Sequence, residues 1–473
     1  MPRVIVVILG NFLIIGRQNR LWSKSFLTIF GTNKILQMQT LEKGSPKLIN
    51  AWAFYDWANS VYSLVIATAV FPIYYESVTS DNGGIVNFLG VSLPNSSLLS
   101  YSLSFSFLIV AFLSPILSGI ADYSGNKKSF MKFFCYMGSL SVMSLFFFKG
   151  QDTLWIGILA TILASIGFWG SIVFYNSYLP EIAFPEQHDR VSAKGFMFGY
   201  TGSVMLLAFN LAMVMKPDWF GITDPTLPAR ISFLSVGIWW MGFAQVTFHF
   251  LPSNIYNKKL KKDFIFKGIK ELKVVLLSLK ELTSLKQFLI AFFLYSIGVQ
   301  TIILLAGIYG KVELGIETSQ LIITILLIQI VAIFGAFLFS RISENIGNIK
   351  TLKLTITIWG FICFAAYLLD KDNKYIDIQF YALGGMIGMV LGAIQSLSRS
   401  TYSKLLPDTE DHTTYFSFFD VTEKIAIVLG TFIFGFVGAL TNSMRNSIFI
   451  LSIFFLLGYI VLSFMKKIET TKR

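Results

Sequence analysis

The chain has 473 residues, of which 54% are hydrophobic and only 14% are charged. Soluble domains average roughly 25% charged residues, so this composition excludes a soluble globular protein and predicts an integral membrane protein. The net charge of +12 does not indicate a nucleic-acid partner, because the lysines cluster between apolar runs, where such residues set membrane topology.

Residues 1–37 fit poorly with the rest of the chain. Their run "VIVVILGNFLIIG" has about 13 residues, which is short for a membrane span, and no small-residue cleavage site follows it. Met38 stands just before the hydrophilic stretch "MQTLEKGSPK". We therefore expect the functional chain to start at Met38 and residues 1–37 to be a start-site extension. A weak interfacial helix is the alternative.

From residue 51 onward the sequence predicts twelve membrane-spanning helices. Each run is long enough to cross a bilayer core at about 1.5 Å per residue, and is too continuously apolar for a barrel strand. The expected fold is therefore all-α. The predicted spans are residues 51–75, 98–121, 130–149, 153–178, 195–215, 231–251, 287–309, 317–340, 351–369, 378–398, 415–439 and 445–465.

Positive charge alternates between the connectors of these spans. We counted Lys and Arg from Lys43 onward, with the adjoining span ends included. The tail before span 1, every second connector and the C-terminal tail together hold 25, and the connectors on the opposite side hold seven. By the positive-inside rule both termini are predicted to be cytoplasmic. An even number of spans places them on one side as well.

The longest connector, residues 252–286, separates an N-terminal six-helix bundle (51–251) from a C-terminal one (287–465). It carries nine lysines against three acidic residues. Its periodic apolar residues favour an amphipathic helix on an anionic membrane surface, with a solvated tether as an equal alternative. These apolar residues are Phe264, Ile265, Ile269, Leu272, Val275, Leu276 and Leu279.

Span 1 begins with "AWAFYDWANSVYS", which places Asp56 in an apolar helix. Asp56, Asn59, Ser60, Ser63 and Ala67 share one helical face and form a narrow stripe of polar and small residues. Such a stripe is expected to face protein or water rather than lipid. Asp56 and Asn59 are candidates for proton or substrate contact; a structural hydrogen bond to a neighbouring span is the alternative for Asp56.

A turn motif occurs twice, at an offset of 222 residues. "GIADYSGNKK" follows span 2 and "SRISENIGNIK" follows span 8, and each has an acid, a glycine three residues later and then lysine. Leu-Pro-Glu at 179–181 and Leu-Pro-Asp at 406–408 repeat at an offset of 227, so we expect duplicated halves. The glycine permits a tight turn and the acid can cap a helix, whereas the lysines are equally explained as a topological signal. The gating candidates here are Asp122, Gly125, Lys127, Lys128 and Glu344.

Span 4 ends with "YNSYLPEI", which carries three further candidates. Pro180 cannot bond the carbonyl of Asn176, so the helix is expected to open there. Tyr175 and Asn176 are candidate substrate contacts. Glu181 is a gating candidate, although a polar helix end is the simpler explanation.

Spans 10 and 11 carry a dense set of charges. Gln395 and Arg399 lie on one face of span 10 at i, i+4 spacing, and Arg399 requires a carboxylate, for which we expect Asp420 or Glu423 of span 11. Lys424 can pair with Asp420 on the same helix. We take Gln395 as a candidate substrate contact and the four charged residues as a gating network, with direct substrate binding as the alternative. Glu423, like Asp56, could also carry a proton.

Enzyme chemistry has little support in the sequence. His188, His249 and His412 are isolated from one another, the two cysteines have no metal-site spacing, and no Gly-rich, Lys-terminated nucleotide loop occurs. We therefore expect no catalytic residue, no metal and no cofactor.

Several of these stretches resemble a known superfamily. "GIADYSGNKK" is similar to the loop motif of the major facilitator superfamily, although Asn126 stands where that motif usually has a basic residue. "YDWANSVY", "YNSYLPEIA", "VSAKGFMFGYTGS", "GAIQSLSRSTYSKLLPD" and "YFSFFDVTEKIAIVLG" resemble the branch of vacuolar amino-acid effluxers linked to autophagy and their bacterial relatives, from about Asn50 to Met465. The resemblance implies a major-facilitator-type fold of two pseudo-symmetric bundles, and efflux of amino acids or similar metabolites.

The expected protein is therefore a monomeric secondary transporter of the bacterial cytoplasmic membrane. Its expected partners are a small polar solute and the lipid bilayer, with protons as a candidate coupling ion and no nucleic acid. A non-transporting membrane sensor with the same fold is the alternative. Such a sensor would be expected to carry an added soluble domain, and the longest connector has only about 35 residues.

Overall fold

The computed structural model describes residues 42–253 and 264–465; the predicted extension at 1–37 lies outside them. Within these ranges twelve helices are long and apolar enough to cross a membrane, and the predicted all-α membrane fold is confirmed. Spans 1 to 12 are Pro46–Thr79, Asn95–Ser124, Lys127–Phe147, Gln151–Ile182, Pro185–Met215, Leu227–Phe250, Thr283–Val312, Thr318–Ile346, Asn348–Leu368, Ile376–Leu405, His412–Thr441 and Met444–Ser463.

Span 1 changes its helix type along its length. It is α-helical over Pro46–Val61, π-helical over Tyr62–Val70 and α-helical again over Phe71–Thr79. Pro72 has no backbone N–H, and its ring crowds the carbonyl one turn earlier, which disfavours regular α-helical bonding at this point. The Thr68 hydroxyl of the π-helical segment donates to the Ser63 carbonyl, 2.9 Å away. The polar stripe of span 1 therefore runs into a local distortion of the helix.

The connectors and span ends contain short elements. Strands β1 (Ile85–Phe88) and β2 (Val91–Pro94) form an antiparallel hairpin between spans 1 and 2, with Ile85 opposite Pro94. One α-helical turn, Leu179–Ile182, ends span 4 after the main helix Leu154–Asn176. The 3-10 segments are Asp81–Gly84, Leu145–Phe147, Gln151–Thr153, Pro185–Gln187 and Pro217–Phe220.

Buried hydrophobic side chains form two clusters. The first extends from Leu48 to Leu251 and is built mainly from spans 1–6; the second extends from Val275 of the linker segment to Met465 and is built mainly from spans 7–12. Between these halves, span 2 packs against span 11, and span 5 packs against spans 8 and 10. Ile325 of span 8 also packs on the first cluster. The molecule therefore has two helical halves that meet along these spans.

One further helix, Phe264–Glu281, lies in the predicted linker. It lies beside span 2, and its Ser278 hydroxyl is 2.7 Å from the Tyr415 hydroxyl of span 11. Val275 is buried and Leu276 is exposed. The side chains of three apolar residues used for the linker prediction, Phe264, Ile265 and Ile269, lie outside the description. Its position on a membrane surface stays a prediction.

Consecutive spans run in opposite directions, which defines two sides of the molecule. The terminal side carries residues 42–45, the linker helix and Phe464; the hairpin side carries β1 and β2. Both repeated turns lie on the terminal side. Gly125 and Gly347 have φ angles of +67° and +89°, which favour glycine, although Gly125 is left-handed helical and Gly347 is not.

Candidate functional site

A buried ion pair joins the two halves near the terminal side. Both terminal nitrogens of the Arg399 guanidinium lie 3.3 Å from Oδ2 of Asp56, and the Tyr175 hydroxyl donates to the same oxygen at 2.7 Å. The side chains of Arg399 and Asp56 are only 4% and 9% exposed. The expectation that Asp420 or Glu423 would neutralise Arg399 is wrong, because span 10 packs this face against the first half.

Other residues of the first half complete the enclosure of Arg399. Its Nε donates to the Ser192 hydroxyl at 2.9 Å, its Nη2 donates to the Ser192 carbonyl at 2.8 Å, and its Nη1 donates to Oδ1 of Asn176 at 3.2 Å. The guanidinium carbon is 4.2 Å from the ring centre of Phe196 and 4.9 Å from that of Trp52. A planar cation suits this mixture of hydrogen bonds and ring contacts. We call Asp56, Tyr175, Asn176, Ser192 and Arg399 the latch.

Glycine at position 195 allows the latch to close. A Cβ placed there would lie 2.9 Å from Nη2 of Arg399 and 2.9 Å from the Tyr175 hydroxyl. Real Cβ atoms do not approach heavy atoms this closely, so a side chain would push the latch apart. Span 5 therefore needs a residue without Cβ where spans 1, 4 and 10 converge.

Asp122, in the first repeated turn, caps a helix of the other half. Its Oδ1 accepts from the Thr413 backbone N–H at 3.2 Å, and its Oδ2 accepts from the Thr414 N–H at 2.6 Å and hydroxyl at 2.8 Å. These groups lie in the first turn of span 11, where unpaired N–H groups and the helix dipole favour a negative charge. Asp122 lies in the last turn of span 2, and the packing of span 2 on span 11 brings its carboxylate to this helix start.

Glu181 lies beside this cap and also joins the halves. Its carboxylate pairs with Lys127 of span 3 and is 3.1 Å from Nδ1 of His412 in span 11. Lys128 instead donates to the Leu251 carbonyl at 2.7 Å, within the first half. His412, which the sequence left isolated, therefore faces a carboxylate.

The second repeated turn makes a corresponding contact in the opposite direction. Asp189 of span 5 accepts from the Ser343 hydroxyl at 2.9 Å and from the Asn348 amide at 2.7 Å, on either side of this turn. Lys404 of span 10 lies 2.7 Å from the same carboxylate, and the two side chains are 7% and 3% exposed. Each half is therefore bound to the repeated turn of the other.

Glu344 lies at the outer rim of this turn. It pairs with Arg190 of span 5, whose side chain is 58% exposed, and Arg341 lies 3.8 Å away on the same helix. Exposed ion pairs of this kind contribute little stability. The buried contacts of Asp189 are therefore the stronger link at this turn.

A polar surface continues from the latch toward the hairpin side. The Tyr200 hydroxyl donates to Oε1 of Gln395 at 2.5 Å, which joins spans 5 and 10. Asn59 is 1% exposed, and its Nδ2 has no partner among the described residues. Farther along the same face Ser63 and Ala67 are exposed. The stripe of span 1 is therefore closed at the terminal side and accessible beyond it.

The charges of span 11 form a separate group, the span-11 cluster, with Gln300 and Trp169. Nζ of Lys424 lies 2.9 Å from Asp420, 3.4 Å from Glu423 and 3.4 Å from the ring centre of Trp169 in the first half. The Gln300 amide of span 7 donates to Glu423 at 2.6 Å. The expected pairing of Lys424 with Asp420 is present, because i, i+4 spacing on one helix brings the two side chains together.

The structure thus divides the predicted site residues into distinct groups. Asp56, Tyr175, Asn176 and Arg399 meet in the latch, while Asn59 and Gln395 lie beyond it; the functional roles of all of them stay predictions. Several contact residues were missed because they lie in predicted connectors or are uncharged. Among the missed residues, Asp189 offered a signal, because it lies beside Arg190 in a charged stretch after the Leu-Pro-Glu repeat. The missed residues are Trp169, Asp189, Ser192, Tyr200, Gln300, Asn348, Lys404, His412, Thr413 and Thr414.

Comparisons with known proteins identify the family of this architecture. A family described as "Vacuole effluxer Atg22 like" matches residues 44–473. An uncharacterized MFS-type transporter, YxiO of Bacillus subtilis, is 31% identical over 91% of this chain and 97% of its own length. Autophagy-related protein 22-1 of Penicillium rubens is 22% identical over 78% of this chain and 75% of its own.

Solved structures show the same fold. The major facilitator superfamily transporter FucP, crystallised in its outward conformation, aligns with 89% of this chain and 99% of its own at a TM-score of 0.63 and 12% identity. The family has the fold of transporters rather than of enzymes. The chain therefore belongs to the vacuole effluxer Atg22-like family of MFS-type membrane transporters.

Proposed function

We propose that the protein is a secondary active transporter that exports small polar solutes, amino acids or similar metabolites, by alternating access. The observation that carries this proposal is the buried pair of Asp56 and Arg399, which closes one end of a polar stripe that is accessible from the other end. Two halves joined by polar contacts at one end can rock and expose the stripe to either side.

We assign the terminal side to the cytoplasm and the protein to the bacterial cytoplasmic membrane. The excess of Lys and Arg on that side supports the assignment. The conformation described here is then closed to the cytoplasm and open outward. We propose that the protein functions as a monomer; this agrees with a latch whose two sides both come from one chain.

Solute binding is proposed for the polar groups just beyond the latch. Asn59 presents a buried amide donor without a partner, and the Gln395 oxygen is occupied by Tyr200 while its amide nitrogen has no described bond. The buried donor of Asn59 is costly without a partner, and a bound acceptor group removes that cost, while the half-buried Gln395 can donate to the same group. A carboxylate or another oxygen-rich group of a small metabolite fits these donors.

Opening the terminal side requires that the latch separates. Separated partners of a buried ion pair leave uncompensated charges, so opening is unfavourable unless water or a ligand replaces the lost contacts. A solute bound beyond the latch changes the equilibrium only by the difference in its affinity for the two states. The latch therefore holds the unloaded protein in one state.

Counterflow in proteoliposomes tests this function. Purified protein is reconstituted with a panel of unlabelled amino acids inside, and radiolabelled amino acids are added outside. We expect exchange of at least one class, with weaker apparent affinity in Asn59→Ala and Gln395→Ala. Gln245→Ala is the matched control, because Gln245 also pairs with a tyrosine, Tyr136, but on an exposed face of span 6. Absence of exchange together with ligand-induced thermal stabilisation would instead support the sensor alternative.

A further inference from the structure

Two carboxylates of the span-11 cluster share a single cation. Lys424 lies 2.9 Å from Asp420 and 3.4 Å from Glu423. Among the residues that the structure describes, no other Lys, Arg or His forms an ion pair with either acid. With both acids ionised, the cluster would carry a net charge of −1 in the interior of a membrane protein, where an unpaired charge is expensive.

The surroundings of the cluster offer no compensating charge. Span 7 contributes Gln300 and Tyr295, and the Tyr295 hydroxyl is already bonded to Ser398 at 2.7 Å. Span 4 contributes Trp169, whose ring contacts Lys424. No ion pair links the cluster to the described residues of spans 2 and 12 or of the linker helix.

Asp420 shows the imbalance in its own hydrogen bonding. Its side chain is 5% exposed and its Oδ1 is bonded to Lys424, while Oδ2 has no partner in the described part of the chain. A buried carboxylate oxygen without a donor carries a desolvation cost that a bound proton largely removes, since the group becomes neutral.

Asp56 is the opposite case. It faces one arginine and accepts a further hydrogen bond from Tyr175, so its charge is balanced one to one. A proton on Asp56 would leave Arg399 buried without a counter-charge. The balanced pair therefore favours an ionised Asp56, although the sequence had made Asp56 a proton candidate.

We propose that Asp420 and Glu423 jointly bind one proton, so that the span-11 cluster, rather than Asp56, is a protonation site of this protein. The step is the transfer of one proton from hydronium to one carboxylate: an O–H bond of hydronium breaks, an O–H bond of the carboxyl group forms, and a water molecule is left. The Glu423 side chain is 19% exposed against 5% for Asp420, so the proton enters through Glu423. That this proton drives transport rests on the proposed function. That the cluster binds a proton does not depend on it.

Infrared difference spectroscopy of the purified full chain tests proton binding without a solute. Spectra are recorded while the pH is varied from roughly 4 to 8, at and above the ordinary range of carboxyl groups. We expect wild type to show the C=O band of a buried protonated carboxyl group, equivalent to one proton. Glu423→Gln and Asp420→Asn each leave one carboxylate with one ammonium, so each removes this band. Asp56→Asn, the control, retains it.

The result can contradict the proposal in three ways. No buried-carboxyl band in wild type, a band that survives both Glu423→Gln and Asp420→Asn, or a band lost in Asp56→Asn would each overturn it. If one of the two cluster variants does not fold, the other carries the same expectation.

A transport measurement separates this inference from the proposed function. In proteoliposomes with radiolabelled amino acids, Asp420→Asn is expected to lose accumulation driven by a pH gradient. Gln245→Ala, on an exposed face of span 6, is the control and is expected to retain it. Gradient-driven accumulation that persists in Asp420→Asn would overturn the inference while the function stands. No flux in wild type would overturn the proposed function, and the infrared result would then decide the proton site alone.

Discussion

Arg399 of span 10 binds Asp56 of span 1 across a sequence separation of 343 residues, and both side chains are buried in the contact. Removal of one partner from such a pair leaves a buried charge without compensation, which costs more than the intact pair contributes. The importance of this contact is therefore best measured by changing one partner and recording the stability lost when the other is left buried and unpaired.

Asp56→Asn is expected to destabilise the terminal closure strongly. The uncompensated Arg399 costs about 3–5 kcal/mol by analogy with other broken buried pairs. Thermal unfolding of the purified protein and the reactivity of a reporter thiol measure this effect. Ser177→Cys provides the reporter, because Ser177 is buried 3.2 Å from Thr413 of the other half. We expect faster maleimide labelling when Asp56 is changed.

The double variant Asp56→Asn with Arg399→Gln controls this measurement. It lacks both charges, so it should recover part of the lost stability. If the two residues did not act as a pair, the stability losses of Asp56→Asn and Arg399→Gln would simply add in the double variant.

Gly195→Ala is expected to open the latch without a change of charge. The added methyl group would collide with Arg399 and Tyr175, so the ion pair has to lengthen and the reporter thiol at position 177 should react faster. Overpacking of this kind typically costs about 1–3 kcal/mol. Gly242→Ala on span 6 is the matched control, because a Cβ there meets no atom within 4 Å. Equal labelling rates in the two variants would contradict the assignment of Gly195.

Asp189→Asn and Arg190→Gln are adjacent changes with very different expected effects. Lys404 loses its buried counter-charge in the first variant, at a cost of about 3–5 kcal/mol. The second removes a pair whose arginine is 58% exposed, so solvent screening makes the expected loss small. Thermal unfolding of the two variants under the same conditions gives the comparison. Similar losses in both would show that burial does not determine the strength of these links.

Asp122→Ala is expected to loosen the start of span 11. The side chain accepts from two backbone N–H groups there, and loss of a helix cap costs about 0.5–2 kcal/mol. Asp122→Asn keeps one acceptor oxygen and should lose less. Hydrogen exchange of the amides of Thr413 and Thr414 is the direct measurement. Asp152→Asn, at an exposed helix start on the other side, should leave this exchange unchanged.

The twelve spans could be predicted because continuous apolar runs record contact with lipid. The start of span 5 and the end of span 10 could not be predicted. The helices are Pro185–Met215 and Ile376–Leu405, whereas the predictions were 195–215 and 378–398. Polar residues there, such as Asp189 and Lys404, are buried by the other half of the protein. Hydropathy cannot distinguish a polar helical turn that protein covers from a loop in water.

The site was predictable where one helix determines the geometry. Lys424 and Asp420 pair as expected, since their spacing on span 11 fixes their separation. The need of Arg399 for a carboxylate also followed from its fixed charge. Its partner did not, because the contact of span 10 with span 1 depends on how the halves pack, and no local spacing encodes that packing.

The distance along the chain between Asp56 and Arg399 sets an order of assembly. At roughly 5–20 residues per second, the 343 residues between them take on the order of 20–70 s to synthesise. Asp56 thus has to be accommodated in the membrane before its cation exists. Tyr175 is made only 119 residues after Asp56 and donates to the same oxygen. Among the described residues that contact this carboxyl group, Tyr175 is therefore synthesised long before Arg399.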